Sequence, residues 1–304
     1  MSRAALYDRT GGPEVLYIGD AADPQPGPGQ VVVRVQAAGL NPVDSKLRSG
    51  FIPSDAPFPR RVGSDLAGTV IAVGEGAVYG DGRPVSVGDE VLGRGPGAVA
   101  ERTLAEAAEL AIRPHELPVD VAGGLWIAGL TAVSCLATVP VDADDVVLVG
   151  GSTGGVGLMA AQLAVATGAR VIGTAGPRAA EFLESLGIEP VAYGEGLVDR
   201  LPPAGTITAV IDCHGREALD AGIALGVPVD RMVAIAAYGA VHELGVHNVE
   251  RSARTAQNLA GLAAGIAAGD LLLPVAATFP LDEVAAAFEA LESSHAPGKI
   301  VVLP

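Results

Sequence analysis

Two cysteines, Cys135 and Cys213, are all that the 304 residues contain, and they lie far apart. That excludes a disulfide framework and a CxxC metal or redox site, and a free cysteine by default packs as a small buried hydrophobe. The five histidines, His115, His214, His242, His247 and His295, are scattered. A catalytic zinc takes three protein ligands, and no ligand-spaced cluster supplies them, so no metal is expected. Basic residues are scarce: 19 Lys and Arg stand against 35 Asp and Glu, a formal net charge of −16. No Lys/Arg cluster offers the basic face of a nucleic-acid binder. Charged residues make up 18% and apolar residues 49%, a balance too apolar for a disordered chain. No apolar run approaches the roughly 18 residues that span a bilayer. The opening MSRAALYDRT lacks the apolar core of a signal peptide. The expectation is a cytoplasmic enzyme with neither nucleic acid nor membrane as partner.

What is present is organised in two styles. The length suits two domains. As far as about residue 110, short apolar stretches are cut by Gly and Pro at the spacing of turns. QVVVRVQAAG, Gln30 to Gly39, alternates, with Val31, Val33 and Val35 on one face. DLAGTVIAVGEG and SVGDEVLG are further strand-and-turn units, and the whole suggests a small barrel or sandwich. Beyond Pro114 the pattern changes. Strands are expected at Val146–Gly150, Arg170–Thr174, Val191–Tyr193, Ala209–Asp212 and Met232–Ala236. Helices are expected near Gly155–Gly168, Arg178–Gly187 and Arg216–Leu225. Such alternation argues a doubly wound parallel sheet of the Rossmann type. A further helix and strand, and then LDEVAAAFEALESSHAPGKIVVLP as helix, turn and strand, close the chain.

The most informative stretch is VVLVGGSTGGVGLMAAQLAVATGARVIGTAG, Val146 to Gly176. A β-branched strand breaks into glycines, a helix opens, and a second strand follows. Gly151, Gly154 and Gly157 fall at three-residue intervals, with Gly155 extra. Free N–H groups and the positive end of the helix dipole at such a turn suit a pyrophosphate. Glycine lets the phosphate approach the backbone and lets helix and strand pack closely. The first glycine of the strict GxGxxG is replaced in Ser152-Thr153-Gly154-Gly155-Val156-Gly157. The strand–turn–helix–strand context makes dinucleotide binding the reading all the same. An NAD site has Asp or Glu about 20 residues further on, for the ribose 2′-hydroxyl. Here VIGTAGPRAAE carries no acid at the strand tip, and Arg178 stands where a guanidinium can clamp a 2′-phosphate. NADPH is therefore the expected cofactor.

Several segments, in order over nearly the whole chain, resemble the zinc-independent quinone oxidoreductases of the medium-chain dehydrogenase/reductase superfamily, the ζ-crystallin-like branch. They are AAGLNPVDSKLRSG, VGSDLAGTVIAVGEG, GDEVLG, AGLTA, GGSTGGVGLMAAQLA, GTAGPRAAEFLESLGIEPVAY, VIDCHG and HAPGKIVVLP. The resemblance implies a GroES-like β-barrel catalytic domain, residues 1–113 and 270–304, and a Rossmann domain, residues 114–269. It implies an active site in the cleft between them and a homodimer formed through the edges of the cofactor-domain sheets. It places Asn41 at the family's cleft asparagine and Thr131 near the nicotinamide. Ser152, Thr153, Gly154, Gly155, Val156 and Gly157 form the phosphate loop. Thr174, Arg178 and Tyr193 lie around the adenosine ribose and its 2′-phosphate, and Cys213 and Ala236 complete the cofactor set. The chain departs from the family pattern at Lys46, where many members have tyrosine, at Gly176 in place of serine, and at Cys213-His214 in place of Thr-Val.

The chemistry this implies is hydride transfer from C4 of NADPH to a quinone or an α,β-unsaturated carbonyl compound, with orientation and charge stabilisation supplied by the protein. Candidates for polarising the carbonyl or donating a proton are Asn41, Lys46, His214 and Tyr238. Asp44 and Asp65 read as caps or turn residues. Phe51, Phe58, Trp126 and Tyr238 either line a pocket or pack the core, with core packing favoured for Trp126. Two other functions fit the same residues: a biosynthetic tailoring reductase or cyclase for one natural product, and an NADPH-binding protein without catalysis.

Overall fold

The computed structural model describes residues 1–293 and 297–304; His295, one of the scattered histidines, lies outside them, as does the start of HAPGKIVVLP. The chain forms two compact units, Met1–Ile127 with Thr255–Pro304, and Ala128–Arg254.

The unit Ala128–Arg254 is built on a six-stranded parallel sheet. In chain order its strands are β1 (Val146–Gly150), β2 (Arg170–Ala175), β3 (Ile188–Ala192), β4 (Ala209–Asp212), β5 (Met232–Ala234) and β6 (His247–Asn248). Their spatial order is 3-2-1-4-5-6, every neighbouring pair parallel. That order reverses beside β1, and in open α/β sheets ligands bind at the carboxyl ends of the strands where the order reverses. Central strands covered on both faces must be apolar throughout. Val147, Leu148, Val149, Val210 and Ile211 satisfy this, all fully buried. Helices Gly155–Ala166, Ala180–Glu184 and Glu217–Ala224 connect the strands, and Leu219 packs with Leu148, Val210 and Met232 in the core.

Several details differ from the sequence pattern. β3 runs Ile188–Ala192, starting three residues before the expected Val191–Tyr193. β5 stops at Ala234, because the amides of Ala236 and Ala237 turn to the Asp212 side chain instead of continuing the ladder. The helix expected over Arg178–Gly187 divides into a 3-10 turn, Pro177–Ala179, and a short α-helix, Ala180–Glu184. β6 has only two residues, both exposed, too few to show a period of two.

The other unit is GroES-like, with a seven-stranded mixed sheet. Six strands run in the order Val275–Pro280, Lys299–Leu303, Gln30–Gly39, Asp65–Val73, Glu90–Arg94 and Ala111–Ile112, and Arg102–Glu106 also pairs with Gln30–Gly39. A three-stranded sheet joins Tyr17–Ala21, Ser2–Tyr7 and Arg60–Arg61. Val31, Val33 and Val35 face one core together with Leu66, Val70, Val91, Phe288, Ile300 and Val302. The last strand thus lies beside Gln30–Gly39, and its first residue, Lys299, enters the interior next to Leu40 and Asn41.

Candidate active site

The phosphate-type loop starts where β1 ends. Gly151 has φ +72°, a left-handed conformation that disfavours residues with a Cβ. Its N–H donates to Thr174 Oγ1 at 2.8 Å. Ser152 is fully buried and turns inward; its N–H and its Oγ both donate to the Thr174 carbonyl, at 3.1 and 3.0 Å. Ser152 and Thr174 therefore brace the loop by tying the end of β1 to β2. Thr153 is half-buried and Gly154 exposed. Gly154 caps the helix Gly155–Ala166 in extended geometry, and no side chain caps that end. The first helical N–H groups, on Gly155, Val156 and Gly157, have no acceptor four residues back. A Cβ on Gly157 would stand 2.2 Å from the Gly151 carbonyl oxygen, so only glycine lets the helix start this close to the loop. An uncapped helix start with a glycine floor, at the carboxyl end of the central strand, fits a dinucleotide pyrophosphate.

On one side of this loop lie the tips of β2 and β3. Arg178 is exposed on the turn Pro177–Ala179. Tyr193, 51% exposed, follows β3, and its hydroxyl is 3.8 Å from where a Cβ on Gly176 would stand. Cation, aromatic face and glycine thus occur together at the place a 2′-phosphorylated adenosine requires, with no acid at the tip of β2 to hold a bare 2′-hydroxyl.

On the other side lie the turns after β4 and β5. Asp212, fully buried, ends β4 and accepts four backbone N–H groups, from His214, Gly215, Ala236 and Ala237. The Cys213 N–H donates to the Gly150 carbonyl at 3.0 Å. His214 is exposed, and its Cβ packs against Gly151: a Cβ there would lie 2.6 Å from it. Tyr238 is 51% exposed just beyond the second turn. Thr131, nearly buried on the helix Leu125–Thr138, accepts a hydrogen bond from Arg254 Nη2 at 3.3 Å. Burial pushes the Cys135 thiol up to about 12 and raises the Cys213 thiol as well. Both stay protonated near neutrality and are poor nucleophiles.

In the GroES-like unit, Asn41 is 2% exposed and caps the helix Pro42–Ser49. Its N–H donates to Asp44 Oδ2 at 2.9 Å, as in a capping box. Lys299 Nζ donates to the Leu40 carbonyl at 2.8 Å and to Asn41 Oδ1. The Asn41 carboxamide is thereby fixed with its oxygen on the ammonium. Asp65 is fully buried on the strand Asp65–Val73, in neither a cap nor a turn; its Oδ1 accepts the Ile127 N–H at 3.1 Å, and its Oδ2 lies 3.8 Å from Lys299 Nζ. Burial, then the Asp65 charge, pushes Asp44 up to about 7. Burial pushes Asp65 up to about 6, against the pull of Lys299. Burial lowers the Lys299 ammonium, while both carboxylates favour its charge.

Lys46 is half-buried on the same helix, near the segment of exposed Phe51 and Phe58. The Arg60 guanidinium lies 4.1 Å from the Phe58 ring centroid and donates to the carbonyls of Ser54 and Ala56, bracing that segment. Trp126 is half-buried beneath the Arg94 guanidinium, 5.4 Å from its ring centroid.

The structure places the loop, Arg178, Tyr193 and the two turns at the carboxyl edge of one sheet, as the sequence pattern expects; the sequence reading did not single out Asp212 and Lys299 as anchors. Asp212 had a signal, a lone acid closing the apolar strand AVID. So did Lys299, a lone lysine opening an apolar strand.

The six-stranded sheet and its loop define a Rossmann-type dinucleotide-binding protein, and the second unit adds the GroES-like architecture of the alcohol dehydrogenases. Residues 27–115 match the alcohol dehydrogenase GroES-like domain model, and residues 183–302 match the zinc-binding dehydrogenase model. The chain is 33% identical to the NADPH-dependent alkenal/one oxidoreductase of Arabidopsis thaliana chloroplasts, covering 99% of this chain and 79% of that one. It is 31% identical to the quinone oxidoreductase of Lama guanicoe, over 100% and 98%. The Escherichia coli quinone oxidoreductase complexed with NADPH superposes with a TM-score of 0.84 at 26% identity, over 99% and 100%. The chain belongs to the quinone oxidoreductase branch of the medium-chain dehydrogenase/reductase superfamily. The name of one matched model invokes zinc; among the described residues no three of His, Cys, Asp and Glu come together in a set that fits a metal.

Proposed function

We propose that this protein is an NADPH-dependent reductase that transfers hydride to a quinone or an α,β-unsaturated carbonyl compound without a metal. The observation that carries the reading is the uncapped, glycine-floored helix start at the end of β1, in a chain similar to quinone and alkenal/one oxidoreductases over its whole length. When bound, NADPH supplies the hydride. Gly155, Val156 and Gly157 offer N–H groups to its pyrophosphate. Arg178 pairs with the 2′-phosphate and Tyr193 stacks beside the adenosine. Thr131, Cys213 and Ala236 lie on the elements that take the nicotinamide half. His214 and Tyr238, in the turns after β4 and β5, are the candidates of the Rossmann-type unit for a proton donor to an oxygen that gains electron density, and Lys46 is the candidate of the GroES-like unit. Asn41 is a candidate oriented dipole for polarising the substrate carbonyl, its oxygen already held by Lys299.

A homodimer formed through the exposed β6 edge and a cytoplasmic location belong to the same reading. The two exposed residues of β6 and the unbridged thiols Cys135 and Cys213 support them.

The test is nicotinamide absorbance over time with NADPH or NADH and a panel of quinones and enones. NADPH loss that requires an acceptor and exceeds NADH loss supports the reading. Tight NADPH binding with no turnover of any acceptor contradicts it.

A further inference from the structure

Asp212 does not belong to the set of residues expected to face the cofactor, yet its side chain accepts four backbone N–H groups at the sheet's carboxyl edge. It is 0% exposed. Oδ1 accepts the His214 and Gly215 N–H groups at 2.9 and 2.7 Å, in the turn after β4. Oδ2 accepts the Ala236 and Ala237 N–H groups at 3.2 and 2.9 Å, in the turn after β5. One carboxylate thus clips two turns that share no strand. Four backbone dipoles point at its carboxylate.

The strand order fixes what those turns face. The phosphate loop sits at β1, and the adenosine side lies over β2 and β3, where Arg178 and Tyr193 stand. The other half of a dinucleotide must then run over β4 and β5. His214 also rests against Gly151, so the first clipped turn forms a wall of the phosphate loop itself.

We infer that Asp212 is a positioning residue for the nicotinamide half of the cofactor, and that its buried carboxylate favours the oxidised ring over the reduced one. The inference rests on the NADPH reading above. NADP+ carries a positive ring and NADPH a neutral one. A buried anion at this edge attracts the first and leaves the second nearly unaffected, because charges interact strongly where water is excluded. A bias toward the product of hydride donation helps the cofactor give up its hydride.

The experiment compares wild type with Asp212→Asn in three binding titrations: 2′,5′-ADP, NADPH and NADP+. The amide keeps the shape but turns an N–H2 group toward two N–H donors and removes the charge. The expected result is unchanged 2′,5′-ADP affinity, weaker NADPH binding, and NADP+ binding weakened at least about threefold more than NADPH, a change of roughly 0.65 kcal/mol. A role in general folding would weaken all three ligands alike, and that outcome, like no change at all, overturns the inference. If Asp212→Asn does not fold, hydrogen exchange on wild type decides. The amides of His214, Gly215, Ala236 and Ala237 are expected to be protected without ligand and to gain protection with NADPH but not with 2′,5′-ADP. Exchange at the rate of open loops overturns the inference. Wild-type protein that bound none of the three ligands would overturn the cofactor reading first, an outcome plainly separate from a failed Asp212→Asn contrast.

Discussion

Lys299 holds its ammonium 3.8 Å from Asp65 Oδ2, an oxygen with no hydrogen-bond partner, in an interior where the two side chains are 5% and 0% exposed. The last strand of the chain thereby supplies the cation for a carboxylate more than two hundred residues earlier. It also steers Asn41, through the bond from Nζ to Oδ1. Removing one partner of a buried pair leaves the other charge stranded. Lys299→Met is expected to cost about 3–5 kcal/mol of stability in urea unfolding at pH 8. The loss is smaller at pH 5, where protonated carboxyls need no cation. A cost equal at both pH values would show that the charge plays no part.

Asp44 gives the opposite sign. Its carboxyl is raised to about 7 by burial and by Asp65, so the folded state binds a proton that the unfolded state releases near 4. Stability from that proton is full below the unfolded value and is lost as pH rises through about 7. Asp44→Asn keeps an acceptor for the Asn41 N–H and cannot ionise. Relative to wild type it should gain about 2 kcal/mol between pH 5 and pH 8, read by chemical denaturation at both.

Gly157 tests the loop. A Cβ there meets backbone, the Gly151 oxygen at 2.2 Å, which cannot rotate away. Gly157→Ala should destabilise the fold by about 1–3 kcal/mol. It should also weaken NADPH binding about tenfold or more, by displacing the helix start from the phosphates. Gly154→Ala, whose Cβ would lie 3.6 Å from the same oxygen, is the control and should fold with unchanged stability. Thermal unfolding and fluorescence titration separate the two.

The proposed role of Arg178 in choosing between cofactors is tested by its removal. Arg178 stands exposed at the tip of β2, where no acid competes. Charge-assisted hydrogen bonds contribute about 1.5–3 kcal/mol, so Arg178→Ala should lower the NADPH:NADH ratio of kcat/KM by roughly 10- to 100-fold. The change should fall on NADPH alone.

Much of this fold was legible because its signals are local. A β-branched run followed by glycines and an amphipathic helix announces a Rossmann turn, and β1 and β4 begin and end where the pattern puts them. The tip of β2 was readable for the same reason: what matters there is which residue follows a strand. The buried charges were not readable in this way. Asp65 resembles a turn residue, and Lys299, one of only two lysines in the chain with Lys46, resembles a surface residue. Their meeting depends on the last strand pairing with Gln30–Gly39, a contact between residues at opposite ends of the chain. Ser152 and Thr174 show the converse. The motif assigns them to the cofactor, whereas the fold gives their hydroxyls to each other's strands as braces. A motif names the residues of a loop without saying which of them face inward.

The most direct test of the hydride-transfer account uses NADPH carrying deuterium at C4, on the transferable face, and a simple enone. The account predicts one deuterium at the β-carbon of the saturated product, with NADP+ formed in equal amount. Product without deuterium at that carbon, or NADPH consumed with no reduced acceptor, would contradict it.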